Sequence, residues 1–161
     1  MGREYKRLLM LRKASKFTEN REDLKDIYKT YIRSILEQSS VIWGKSLTNE
    51  NVLDLEQVQK NVLRIILKEE YNNYDESLQK LNLNKLSQRR EKLLENFAIG
   101  CLTNEKTKKL FPLKTKKHTM STRNAGKFRT LQAKTERWKR STVPEIQNLL
   151  GGKILSYNIQ L

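Results

Sequence analysis

With 161 residues, of which 37% are hydrophobic, the chain has material for one domain of ordinary size plus an appendage. It holds 33 Lys and Arg against 18 Asp and Glu, a net charge of +15 that favours polyanionic partners such as nucleic acid or an acidic membrane. Cys101 is the only cysteine, which excludes an intrachain disulfide and a Cys-rich zinc site and fits a reducing, intracellular compartment, nuclear or cytoplasmic.

The predicted elements are helices throughout. The first, over residues 4–14, crowds Leu8, Leu9, Leu11 and Arg12 together, as a segment that docks on a surface outside this region would. Its apolar piece "LLML" is too short for a signal sequence, and no run in the chain approaches membrane-spanning length, so no membrane partner is expected. After Asn20, an N-cap followed by Glu22 and Asp23, apolar residues fall at Leu24, Ile27, Tyr28, Tyr31, Ile32, Ile35 and Leu36. That spacing predicts one helix running toward Trp43 and stopping at Gly44. A second begins after Thr48 and carries the broad stripe Val52, Leu55, Val58, Val62, Ile65 and Ile66, the expected centre of the core. A short helix capped by Asp75, with Leu78 and Leu81 inward, precedes a longer one over 84–102.

Charge divides the chain. Residues 1–105 carry 19 basic and 16 acidic side chains, whereas 106–161 carry 14 and 2. Within the second part, residues 106–142 hold only 9 apolar residues, too few for a core of their own, and read as a basic arm. The expected organisation is therefore an all-α, bundle-like unit of four to five helices. An N-terminal helix occupies 1–18, a helical core 19–105, the arm 106–142, and a short helix and tail 143–161. In that last piece Thr142 serves as cap, Glu145 follows three residues later, and Gly151 is the stop.

No catalytic constellation emerges. His118, the only histidine, stands in the arm without partners, and Cys101 lies among Phe97, Ala98 and Leu102 as a small hydrophobe would. Glu22, Asp23 and Asp26 form the nearest carboxylate cluster, but a helix's first turn accounts for them through the dipole alone. Gly151 and Gly152 follow a helix rather than open one, so there is no phosphate-binding glycine loop. No metal or cofactor is expected. Binding is better supported, because "KKLFPLKTKKH" and "RNAGKFRTLQAKTERWKR" interleave cations with aromatics. Lys116, Lys117, Arg123, Lys127, Arg129 and Arg137 are candidates for phosphate contact, and Phe111, Phe128 and Trp138 for stacking on bases. "KTKK" at 114–117 is a nuclear-import candidate.

The order of several segments resembles the C-terminal region of reverse transcriptases from non-LTR, LINE-like retrotransposons, the jockey-like mobile elements included. These are "DLKDIYKTYIRSILEQSSVIWGKSLT" at 23–48, "LEQVQKNVLRIIL" at 55–67, "YDESLQKLNLNKLSQRREKLLENFA" at 74–98 and "FPLKTKKHTMSTRN" at 111–124. The resemblance covers nearly the entire chain and implies the thumb and the region after it. The implied role is support rather than catalysis, since a palm with its Tyr-x-Asp-Asp motif and an endonuclease are missing; "YNNYDES" is not that motif. A truncated element copy, a gene-model fragment or a small surviving reading frame is the expected origin. Its implied partners are RNA, DNA or their hybrid, and the polymerase palm of a related chain. The alternative is a helical protein-interaction module that docks on a polymerase core or self-associates.

A thumb holds a sliding duplex through Lys and Arg contacts to phosphates. Arg33 lies opposite the apolar stripe of its helix, and Lys60 and Arg64 stack at i and i+4 away from the core. In the doublet Arg89-Arg90, Arg90 falls inside the stripe Leu86, Leu93, Phe97 and Cys101, as a structural residue paired with a carboxylate, Glu56 being one candidate among those that spacing leaves open. Arg89 sits at the border, free to reach solvent or phosphate.

Overall fold

The computed structural model describes residues 2–109, 111 and 135–153, with the side chains of 2–4, 137 and 151–153 left aside. Among these residues the chain is all-α, with no strand. The helices are α1 (Gly2–Ala14), α2 (Arg21–Ile27), α3 (Ser34–Glu37), α4 (Ser40–Trp43), α5 (Asn49–Leu67), α6 (Tyr74–Lys80), α7 (Leu86–Thr103), α8 (Glu105–Lys108), α9 (Glu136–Lys139) and α10 (Thr142–Lys153). They fall into two compact units, residues 1–40 with 47–91, and residues 41–46 with 92–161. The helical core expected over 19–105 is thus shared out, with α7 lending its first turns to one unit and its remainder to the other.

In the first unit, Leu8 and Leu11 of α1 are buried on the same core as Leu24, Tyr28, Ile32, Leu36, Val62, Leu63, Leu78 and Leu86. The first helix therefore docks on this chain's own core through two of its four crowded positions, while Leu9 and Met10 face outward. The helix expected over 21–43 is not uniform. Its middle, Tyr28–Arg33, is a π turn, and the chain breaks between α3 and α4, where Ser39 takes φ 55°. The burial pattern explains the π turn: Leu24, Tyr28, Ile32 and Leu36 recur every four residues. At 3.6 residues per turn such a series drifts around the helix, and a wider turn brings it back to one face. The Arg7 guanidinium donates to the Tyr31 carbonyl within that turn.

Asn20 and Thr48 cap α2 and α5 as expected, accepting from the N–H groups of Glu22 and Asn51. The cap of α6 is Asn73 rather than Asp75: an amide oxygen at this position satisfies the Glu76 N–H, and Asp75 instead pairs with Lys85 at 2.7 Å. A buried polar network ties α5, α6 and α7 together. The Tyr74 hydroxyl donates to Glu56, the other Glu56 oxygen accepts the Ser87 N–H at 2.8 Å, and Gln59 Nε2 donates to the Asn84 carbonyl at 3.0 Å. Glu56 thereby caps the N-terminus of α7 from a neighbouring helix, where dipole and orphan N–H both favour an anion.

The second unit has its own apolar cluster of Leu94, Ala98, Cys101, Leu102, Phe111, Ile146 and Leu150. Burial along α7 follows Leu86, Arg90, Leu94, Ala98 and Leu102 at steps of four, with Cys101 buried beside the last of them as expected, while Phe97 is exposed rather than part of the stripe. The α10 helix starts at Thr142, whose hydroxyl donates to the Val41 carbonyl at 3.0 Å instead of capping its own helix. It continues through Gly151 and Gly152 to Lys153, past the expected stop. Glu145 pairs with Lys45 at 3.0 Å.

Candidate functional site

Ion pairing divides the cations of the first unit into two sets. Arg21 pairs with Glu70, Lys25 with Glu22, Lys29 with Asp26, Lys85 with Asp75 and Arg89 with Glu37. These side chains are spent within the fold. Among the described residues no carboxylate pairs with the other cations of this unit, which include Lys6, Arg7, Lys13, Lys16, Arg33, Lys80 and Arg90 as well as Arg12, Lys60, Arg64 and Lys68; the last four lie on α1 and α5 and just beyond the C-terminal end of α5.

Three of these four converge. On α5 and its cap, Asn61, Arg64, Ile65 and Lys68 follow one another at steps of three, one and three, a spacing that places them on one face. With Arg12 and Ser15 from α1 and the turn after it, they line an open depression of about 440 Å³. The Arg64 guanidinium lies 5.3 Å from the centre of the Tyr71 ring, and Nη1 is 3.4 Å from Asn61 Oδ1. The ring face holds the cation without neutralising it. Lys60, one turn earlier, sits 5.4 Å over the Tyr74 ring, with Lys85 at 5.8 Å from the same ring. Lys68 adopts φ 50° and ψ −117°, a backbone conformation that suits glycine.

The arginine doublet is organised in the opposite sense from the expectation. Arg89 is not free: Nε and Nη2 both donate to the Glu37 carboxylate, the second at 2.9 Å, in a planar fork that suits carboxylate. That bond raises the Arg89 pKa further above its ordinary value, and burial opposes it. Arg90 is 8% exposed, and no ion pair joins it to Glu56, whose carboxylate accepts from Tyr74 and Ser87. Sequence periodicity locates Arg90 on the buried side, and only the packing of α3 against α7 brings Glu37 to Arg89.

Arg33 is half-buried on the π turn beside Ile32, and Arg64 is exposed. Phe111 does not present itself for stacking: it is 3% exposed in the second apolar cluster. Trp138, on α9, is 42% exposed. Lys116, Lys117, Arg123, Lys127, Phe128, Arg129 and His118 lie outside the described residues, as does the side chain of Arg137.

No family model, curated protein or solved structure matches this chain. Arg12, Ser15, Asn61 and Lys68 escaped sequence reasoning, because Arg12 and Ser15 belong to a segment distant in sequence from α5. The legible signal was the series Lys60, Arg64 and Lys68, four residues apart. Among the described residues no group of His, Cys, Asp and Glu is placed to hold a metal ion, and no helix is long and apolar enough to cross a membrane.

Proposed function

We propose that this chain is a noncatalytic nucleic-acid-binding segment that grips RNA, DNA or their hybrid through phosphate contacts. It would do so as the C-terminal, thumb-like part of a non-LTR retrotransposon reverse transcriptase holds template and primer. The observation that supports the reading is the convergence of Arg12, Arg64 and Lys68 on one open depression, with Lys60 one turn earlier on α5 and none of the four paired with a described carboxylate, beside a charge of +15 for the whole chain. Such cations hold a backbone without reading its sequence. A nucleic-acid ligand of this kind supports an intracellular location, in nucleus or cytoplasm. Anisotropy titration of labelled single strands and hybrids tests it. Each phosphate neutralised adds about −0.7 to −0.9 to the slope of log K against log salt, so affinity falls steeply with salt while sequence matters little. No affinity for any of these nucleic acids at low salt refutes the reading.

A second reading, a protein-interaction module, draws on the outward side of the first helix and the turn after it. Tyr5, Leu9, Met10 and Phe17 are exposed there, Phe17 at 91%. Sedimentation at rising concentration tests the self-associating form, and a monomer throughout counts against it.

A further inference from the structure

We infer that the depression lined by Arg12, Ser15, Asn61, Arg64, Ile65 and Lys68 is a seat for a terminal phosphate, the dianionic monoester at the end of a strand or on a free nucleotide. Internal phosphodiesters carry one charge each, and a protein that tracks them spreads its cations along the path. Here three cations converge on one recess lined by no carboxylate among the described residues, and one diester would leave most of that charge uncompensated. A phosphomonoester, at close to two negative charges near neutral pH, compensates more of it and offers more acceptor oxygens. The guanidinium forks of Arg12 and Arg64 suit those oxygens, and Lys68 supplies a compact charge.

The recess exceeds what a phosphate alone requires. Its volume of about 440 Å³ falls within the range of small-molecule sites, ~300 to 1,000 Å³. Ile65 provides an apolar wall for the attached sugar, and the Ser15 hydroxyl and Asn61 amide provide polar groups beside it. The backbone supplies a separate observation. Lys68 occupies φ 50°, ψ −117°, where glycine would be unstrained, so a charged side chain stands at the rim at a cost to the fold. Strain of this kind concentrates at ligand sites. Dipole complementarity at the C-terminal ends of α1 and α5 favours cations in this region, yet calls for neither their convergence on one recess nor the strained lysine.

The inference rests on the strand-binding reading only for one source of the phosphate. The full chain is titrated with otherwise identical short strands bearing a phosphate at the 5′ end, at the 3′ end or at neither. Its melting temperature is also followed with a nucleoside 5′-monophosphate and with the bare nucleoside. One of the phosphorylated strands binds about tenfold tighter than the unphosphorylated one, the scale of a charged hydrogen bond or two. That preference disappears in Arg64→Gln and in Lys68→Gly, the latter a change the backbone favours, and persists in Lys92→Gln on α7. A melting shift with the monophosphate alone, lost in the same two variants, assigns the seat to free nucleotides. If no strand binds, the strand-binding reading fails while that shift still supports the seat. Equal binding of all three strands together with no shift overturns it, as does a preference that survives both variants.

Discussion

The Glu37 and Arg89 pair offers the sharpest test of how the basic residues divide. Both guanidinium nitrogens of one edge donate to the carboxylate, and the side chains are only 13% and 28% exposed for Glu37 and Arg89. Exposed ion pairs contribute about 0.2–1 kcal/mol, whereas removing one partner of a buried pair costs about 3–5 kcal/mol by stranding the other charge. Glu37 is nearly buried and Arg89 remains partly screened by solvent, so Arg89→Met should cost an intermediate ~2 kcal/mol. For a chain of this length that corresponds to a fall of about 4–8 °C in melting temperature. Urea denaturation of wild type, Arg89→Met, Glu37→Gln and the double variant, followed by circular dichroism, gives a coupling energy of ~1.5 kcal/mol or more. Strand affinity of Arg89→Met stays within about twofold of wild type, while Arg64→Gln loses more. A coupling below about 0.5 kcal/mol, or a loss of affinity equal to that of Arg64→Gln, would refute the assignment of Arg89 to the fold.

Two further predictions concern the buried polar network. Glu56→Ala leaves the Tyr74 hydroxyl and the Ser87 N–H without their acceptor, an expected loss of about 2–4 kcal/mol in urea denaturation, and Glu56→Gln, which keeps an acceptor oxygen, loses less. Burial holds the phenol pKa values of Tyr28 and Tyr74 above their ordinary 10.0, with Glu56 adding to the shift at Tyr74. Folded-state values above the unfolded one mean that this stability is fully present below pH 10.0 and is lost as pH rises beyond it, since only the unfolded chain releases these protons there. Denaturation midpoints therefore fall above that pH, and Tyr74→Phe flattens the fall; a wild-type midpoint unchanged from pH 9 to 11 would refute the argument.

Much of the fold was legible because it is written in local spacing. The stripe of α5, the caps at Asn20 and Thr48, and the inward Leu78 and Leu81 each follow from residues within one element. What escaped depends on which neighbour an element meets. The recurrence of Leu24, Tyr28, Ile32 and Leu36 at steps of four reads as ordinary amphipathicity, and the π turn at Tyr28–Arg33 shows only once these side chains are seen buried on one core. The same step along α7 drifts around the helix as α7 passes from one apolar cluster to the other, which exposes Phe97 and buries Leu94 and Ala98. Local capping signals failed at Asp75 and Thr142 for a related reason: each side chain had a stronger partner distant in sequence, Lys85 and the Val41 carbonyl.

The candidate site shows why net charge alone is a poor guide to it. Residues 1–105 are nearly balanced, at 19 cations to 16 anions, and a count would pass over them in favour of the strongly basic segment that follows. Local field, however, depends on which charges are cancelled at contact distance. In the first unit Glu22, Asp26, Glu37, Glu70 and Asp75 are each taken up by a particular Lys or Arg, and Glu56 is taken up by hydrogen bonds inside the core. Arg12, Arg64 and Lys68 belong to no such pair among the described residues, and they meet at one depression. An interface of this kind is legible only as a pairing pattern, and that pattern is a property of the fold rather than of the residue list.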